Sequence, residues 1–192
     1  MNKKLIIIAV VVILVVLAGL GIYMLTQKNS GGINLSTTNN LKAMIDTVYK
    51  NAGVELPYLE TVEIDLADSD MVASYTYLSD NSNVEALVVS QPMMSSQAYS
   101  LVAFKLKDNA NVEVAKQEVY DNANMSKWVC VTADKLYITN YKNVVFYIMA
   151  SEEWAKPVYD SFKNYVENKV GKELEKIGTE EDIELPPEIL AQ

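Results

Sequence analysis

The chain has 192 residues, enough for one ordinary domain with extensions, and its 25 acidic residues against 16 basic ones give a net charge of −9. Every basic residue is lysine; arginine and histidine are absent. Without histidine there is no Ser-His-Asp or Cys-His catalysis and no imidazole-held zinc. Without arginine there is no bidentate fork for phosphate, carboxylate or guanine. The acidic balance also opposes nucleic-acid binding, which needs positive charge to displace counterions.

In chain order, residues 1–4 carry Lys3 and Lys4, and Leu5 to Leu25 follow as 21 consecutive uncharged residues. At 1.5 Å per residue such a run spans about 31 Å, the thickness of a hydrocarbon core, and a helix satisfies its own backbone there. Only Lys28 follows closely, so the charge bias predicts a cytoplasmic N-terminus and an extracytoplasmic remainder held by this single transmembrane helix. A cleaved signal peptide is the competing reading, but its apolar region is usually shorter, and Gly19-Leu20-Gly21 offers only a weak small-residue site. Leu17-Ala18-Gly19 has the look of a lipobox, yet Leu20 stands where the lipidated cysteine would be required. The segment has no Gly-x-x-x-Gly pattern that would pair it with another helix.

Residues 26–40 are mostly Ser, Thr, Asn, Gly, Gln and Lys and read as a flexible spacer. Asn34 and Asn124 lie in Asn-x-Ser sequons, whose chance occurrence is the plainer account. Residues 41–170 read as the folded domain. Leu41, Met44, Ile45, Val48, Tyr49 and Ala52 form a helical stripe over Leu41 to Gly53, with Asn39 or Asn40 as its cap and Gly53 as its left-handed end. Val62, Ile64 and Leu66 alternate with acidic neighbours as a half-exposed strand. Met71 to Leu78 is compatible with a strand or a turn of helix.

Strands are expected at Glu85 to Ser90 and Tyr99 to Lys107, then a helix from Val112 to Asn124 facing inward through Val112, Ala115, Val119 and Ala123. Trp128 to Thr132, Lys135 to Asn140 and Val144 to Ala150 read as three hairpin-linked strands. Cys130, the only cysteine, falls in the first of them and is expected to be a buried, inert thiol. Ser151 opens a last helix striped by Trp154, Ala155, Val158, Tyr159, Phe162, Tyr165 and Val166, with Pro157 kinking it or marking a late start. Residues 171–192, with seven acids between Glu173 and Glu188, read as a solvated, mostly disordered tail. The expected fold class is therefore α+β, an antiparallel β-sheet with helices packed on one face, preceded by the transmembrane helix.

Candidate chemistry is sparse, and no catalytic, cofactor-binding or metal residue is assigned. Asp65, Asp68 and Asp70 are the best calcium candidates, but they lack the glycine and distal glutamate of an EF-hand and their spacing is non-specific, so a charged surface loop is the favoured reading. No Ser-x-x-Lys occurs, and there is no glycine-rich phosphate loop after a strand. Tyr75, Tyr77, Tyr137, Tyr141 and Tyr147 suit either a half-covered sheet or a partner- or carbohydrate-binding face.

With Leu56-Pro57-Tyr58-Leu59-Glu60 leading into the strands, and the order of membrane segment, spacer, strands, helix and hairpin, residues 54–164 resemble a family of uncharacterised extracytoplasmic domains of Gram-positive bacteria. Its members are membrane-anchored or lipidated; the missing lipobox cysteine here implies a retained helix anchor. The family carries no assigned activity, so the resemblance implies a location and no site residues. The functional expectation is non-enzymatic protein or ligand binding at the cell envelope, with an envelope protein as partner. The alternative is a carboxylate-dependent enzyme acting on a cell-envelope polymer, needing two acids about 5–10 Å apart in a concave pocket.

Overall fold

The structure, a computed structural model, describes residues 32–94 and 96–178. The chain divides into two compact units, Met1–Asn34 and Leu35–Gln192, and the architecture below belongs to the second. The predicted transmembrane run Leu5 to Leu25 lies outside the described residues; among those described, no helix is long and apolar enough to cross a membrane.

The elements are α1 (Thr38–Asn51), β1 (Leu59–Glu63), α2 (Ser69–Thr76), β2 (Val84–Pro92), β3 (Tyr99–Leu106), α3 (Val112–Asn122), β4 (Lys135–Tyr141), β5 (Val144–Ala150), α4 (Glu152–Tyr165) and β6 (Leu174–Ile177). The strands form one six-stranded sheet in the order β1-β2-β3-β5-β4-β6, antiparallel throughout. The expected α+β class with an antiparallel sheet is therefore present. Its tightest turn joins β4 to β5, where Tyr141 pairs with Val144 and Lys142 adopts φ 53°. A two-residue hairpin needs such a left-handed residue to match the twist of its strands.

The helices cover both faces of the sheet, correcting the expectation of helices on one face. Side chains alternate along a strand. Phe146 on β5 stacks on Phe162 of α4, with ring centroids 4.0 Å apart and planes 4° off parallel. Its neighbour Tyr147 points the other way, toward Tyr77 just beyond α2, at 6.1 Å. One face is packed by α1 and α4, the other by α2 and α3. The second face gathers Leu87, Val89, Val102, Phe104, Leu136, Ile138, Val145 and Met149 with Val72, Ala115 and Val119 from its helices. Every residue of β5 is buried in consequence. A strand covered on both sides reads as a continuous apolar run, as Val144-Val145-Phe146-Tyr147-Ile148-Met149-Ala150 does.

Other boundaries move for identifiable reasons. Thr37 caps α1, its Oγ1 accepting from the Asn40 N–H at 3.2 Å, in place of Asn39 or Asn40. Leu35, placed in the spacer by composition, is buried. Ser151 occupies the cap position of α4 without bonding through its side chain; Asp134 Oδ2 instead accepts from the Glu152 N–H at 3.1 Å. Pro157 lies inside α4, which begins at Glu152, so it forfeits a ladder bond without delaying the start. Residues 171–178, assigned to the tail, contribute β6: Leu174 to Ile177 pair with Ile138 to Lys135. Gly178 continues this edge, its N–H donating to the Asp134 carbonyl at 2.9 Å.

Candidate functional site

On the α1/α4 face, α4, β4 and β6 enclose an open depression of about 250 Å³ lined by Tyr137, Lys156, Tyr159, Asp160, Lys163, Glu173, Leu174 and Glu175. Helical spacing puts Lys156, Tyr159, Asp160 and Lys163 on one side of α4. Strand alternation brings Tyr137 up beneath them, and its ring stacks on Tyr159 at 5.0 Å and 21°. Tyr159 donates its hydroxyl hydrogen to Glu173 Oε2 at 2.9 Å, and Lys163 Nζ bonds the same carboxylate at 3.0 and 3.1 Å. Lys156 pairs with Asp160, and Lys135 reaches Glu175 at 2.5 Å. Burial alone would raise the Glu173 carboxyl, yet the hydrogen bonds from Lys163 and Tyr159 hold it below the usual carboxylate range. The Tyr159 phenol is pushed up, first by burial and then by the adjacent Glu173 carboxylate.

A different arrangement occupies one end of the sheet, where Leu59, Pro92, Ala150, Lys135 and Ile177 lie level in successive pairings. Here the loop between α3 and β4 crosses the α2/α3 face. Its Lys127 donates from Nζ to Ser100 Oγ on β3 at 3.0 Å. The same ammonium lies 5.6 Å from the Tyr75 ring centroid and 5.2 Å from that of Trp128. Tyr75 Oη in turn accepts from Gln91 Nε2 at 3.1 Å, and the Tyr75 carbonyl accepts from the Tyr147 hydroxyl at 2.5 Å. No described carboxylate forms an ion pair with Lys127, whereas seven other lysines have one. Burial lowers its ammonium to about 8.

Asp65, Asp68 and Asp70 turn out to serve the backbone. Asp65 Oδ1 accepts from the Ala67 N–H at 3.0 Å, Asp68 Oδ1 caps α2 through the Met71 N–H at 2.9 Å, and Asp70 sits in the first turn of that helix. Among the described residues no three acidic or thiol side chains converge on a common metal position. Cys130 is exposed, correcting the expectation of a buried thiol. Residues 128–132 form no strand, because β5 already has β3 and β4 as neighbours and Cys130 itself takes φ 59°. Of the five tyrosines singled out, Tyr137, Tyr141 and Tyr147 are buried and Tyr75 and Tyr77 partly so. Only Tyr137 of these lines the depression. Lys127 and the Tyr159–Glu173–Lys163 group carry no sequence motif. Lys127 is marked in sequence only by being a cation in an apolar stretch.

The fold defines a three-layer α+β domain whose concave surface is lined by paired charges and tyrosine rings. No family model matches the chain, and neither does any curated protein or solved structure.

Proposed function

We propose that this chain is a membrane-tethered domain displayed outside the cytoplasm, binding a protein or ligand of the cell envelope without turning it over. The tether is supported by the apolar run Leu5 to Leu25 behind Lys3 and Lys4. The family resemblance over residues 54–164 supports the same location. For the domain, one observation carries the reading: each carboxylate of the depression already answers to a lysine, Asp160 to Lys156, Glu173 to Lys163 and Glu175 to Lys135. Hydrolysis by paired carboxylates needs one acid kept protonated near neutral pH, usually by burial away from cations. Glu173 is held the opposite way. What remains is a recognition surface, with tyrosine rings for flat apolar contact and fixed charges for orientation.

Two experiments test this. A reporter fused after Gln192 is active only outside the cytoplasm; cytoplasmic activity overturns the tether orientation. A photo-crosslinking residue at Lys156, on the rim of the depression, captures an envelope component in intact cells, while the same residue at the exposed Val114 on α3 does not. Equal capture at both positions, or none at Lys156, contradicts the placement of the binding surface.

A further inference from the structure

Among the described residues eight large apolar side chains are exposed, and three of them, Met93, Met94 and Val129, lie on two loops at the sheet end that holds Lys127. Met93 and Met94 stand 70% and 67% exposed in the turn after β2, and Val129 stands 64% exposed two residues from Lys127. Contacts connect these loops: Val129 adjoins Trp128 and Lys127, Lys127 lies over Tyr75, and Tyr75 meets Gln91, two residues before Met93. The result is a cation beside two aromatic rings, with exposed apolar side chains on its own loop and on the neighbouring turn after β2, in a chain of net charge −9. Exposed apolar patches of this kind mark interaction sites, and methionine adapts its shape to a partner.

Direction within the domain adds to this. Lys42 near the start of α1 approaches Glu63 at the far end of β1, at 3.9 Å, whereas Tyr49 near its finish meets Tyr99 at the start of β3. Helix α1 therefore begins at the opposite end of the sheet and runs toward this one.

We propose that this end of the sheet is a second binding site, separate from the depression, that takes an acidic residue flanked by apolar residues in an extended peptide segment of a partner protein. Lys127 is the counter-ion for the carboxylate. Met93, Met94 and Val129 receive the flanking side chains. Charge complementarity selects the carboxylate, because Lys127 has donors to spare beyond its bond to Ser100 and no described acid to use them. An extended peptide fits better than an acyl chain. Met93 and Met94 lie in the turn after β2 and Val129 in the loop between α3 and β4, so the apolar positions stand on two separate loops, as alternate side chains of an extended segment require.

The titratable groups around Lys127 are the phenols of Tyr75, Tyr77 and Tyr147, with the Cys130 thiol three residues along the same loop. Tyr77 is pushed up to about 12 and Tyr147 well above its ordinary value, chiefly by burial, so both phenols are neutral wherever Lys127 titrates. A carboxylate ligand is held while Lys127 is protonated, and affinity falls as pH rises through about 8.

The test uses the full chain and N-acetyl-Leu-Glu-Leu-amide as probe, with binding read by calorimetry and by Trp128 fluorescence. Saturable binding is expected near neutral pH, with a loss of about tenfold or more for the Leu-Gln-Leu peptide and for Lys127→Met, as the loss of one charge-assisted hydrogen bond implies. Lys163→Met, in the depression, leaves it unchanged, so failure of this site and failure of the depression are distinguishable. Thermal melting establishes that Lys127→Met is folded, and the double variant Met93→Ser, Met94→Ser weakens binding without touching the cation. No binding, equal binding by Lys127→Met or by the glutamine peptide, or equal binding of decanoate each overturns the proposal.

Discussion

The two faces of the sheet are covered by unlike helices and end differently. On one face α1 and α4, each of 14 residues, close over the sheet with aromatic contacts: Phe146 on Phe162, Tyr137 on Tyr159, and Tyr99 between Tyr49 and Trp154. On the other, α2 and α3 are shorter, 8 and 11 residues, and the core is mainly aliphatic. The lysines diverge in the same way. Around the depression every carboxylate is neutralised by a neighbour. On the second face Lys116 is fully buried but answered by Glu113 at 2.8 Å and the Lys172 carbonyl at 2.6 Å, while Lys127 has a hydroxyl and two rings. Around the depression the long helix α4 presents its charges in pairs, whereas the short helices leave part of the sheet to a loop, and the half-buried Lys127 of that loop has no described ion-pair partner.

The contrast can be broken most forcefully at the aromatic stack. Phe146→Ala removes a ring packed against Phe162 and is expected to cost about 4 kcal/mol in denaturant unfolding, while Val119→Ala on the aliphatic face costs roughly half of that. Equal losses would erase the distinction between the faces.

The second expectation concerns Lys127 and pH. Its folded-state value of about 8 lies below that of an unfolded lysine, so between the two the unfolded chain binds more protons and stability rises with pH. The penalty is fully present below about 8. Buried phenols act oppositely: Tyr49 and Tyr77, both pushed up to about 12 mainly by burial, keep their protons when the unfolded chain loses them, so stability falls above about pH 10. Unfolding free energy is therefore expected to gain about 2 kcal/mol between about pH 8 and pH 9.5, and Lys127→Met to abolish that gain.

A smaller effect sharpens the account of β6. An added Cβ at Gly178 would stand 2.0 Å from the Ala133 carbonyl oxygen, so Gly178→Ala forces backbone apart there. About 1–2 kcal/mol of destabilisation is expected, together with faster amide exchange at Lys176 and Ile177. The smallest effect belongs to the depression. Glu173→Gln weakens a part-exposed pair, so unfolding changes by less than about 1 kcal/mol, while capture of a partner at Lys156 is reduced.

Much of the framework was readable before the structure. The stripes of α1 and α4 and the hairpin from Lys135 to Ala150 follow from periodicity, because long elements repeat their pattern several times. The two-sided burial was missed although its sign was present in the unbroken apolar run of β5. Asp68 was readable as a helix cap, since Asp68-Ser69-Asp70 stands just ahead of Met71-Val72-Ala73. Trp128 to Thr132 misled for the converse reason: its composition suits a strand, but pairing is decided by neighbours that lie far away in sequence. Leu174-Glu175-Lys176-Ile177 was hidden among charges because an edge strand buries only alternate residues, Leu174 and Lys176 being turned toward α3. Neither the Tyr159–Glu173–Lys163 group nor the seat of Lys127 repeats at any spacing, so only the fold assembles them.

The contrast rests on Lys127 being a half-buried cation with no carboxylate of the described residues in ion-pair contact. Selective carbon-13 labelling of lysine, with Lys127 assigned by comparison with Lys127→Met, allows its ammonium to be titrated directly by NMR. A midpoint near 8 is expected. A midpoint near 10.4, the ordinary value for a solvated lysine, would contradict it.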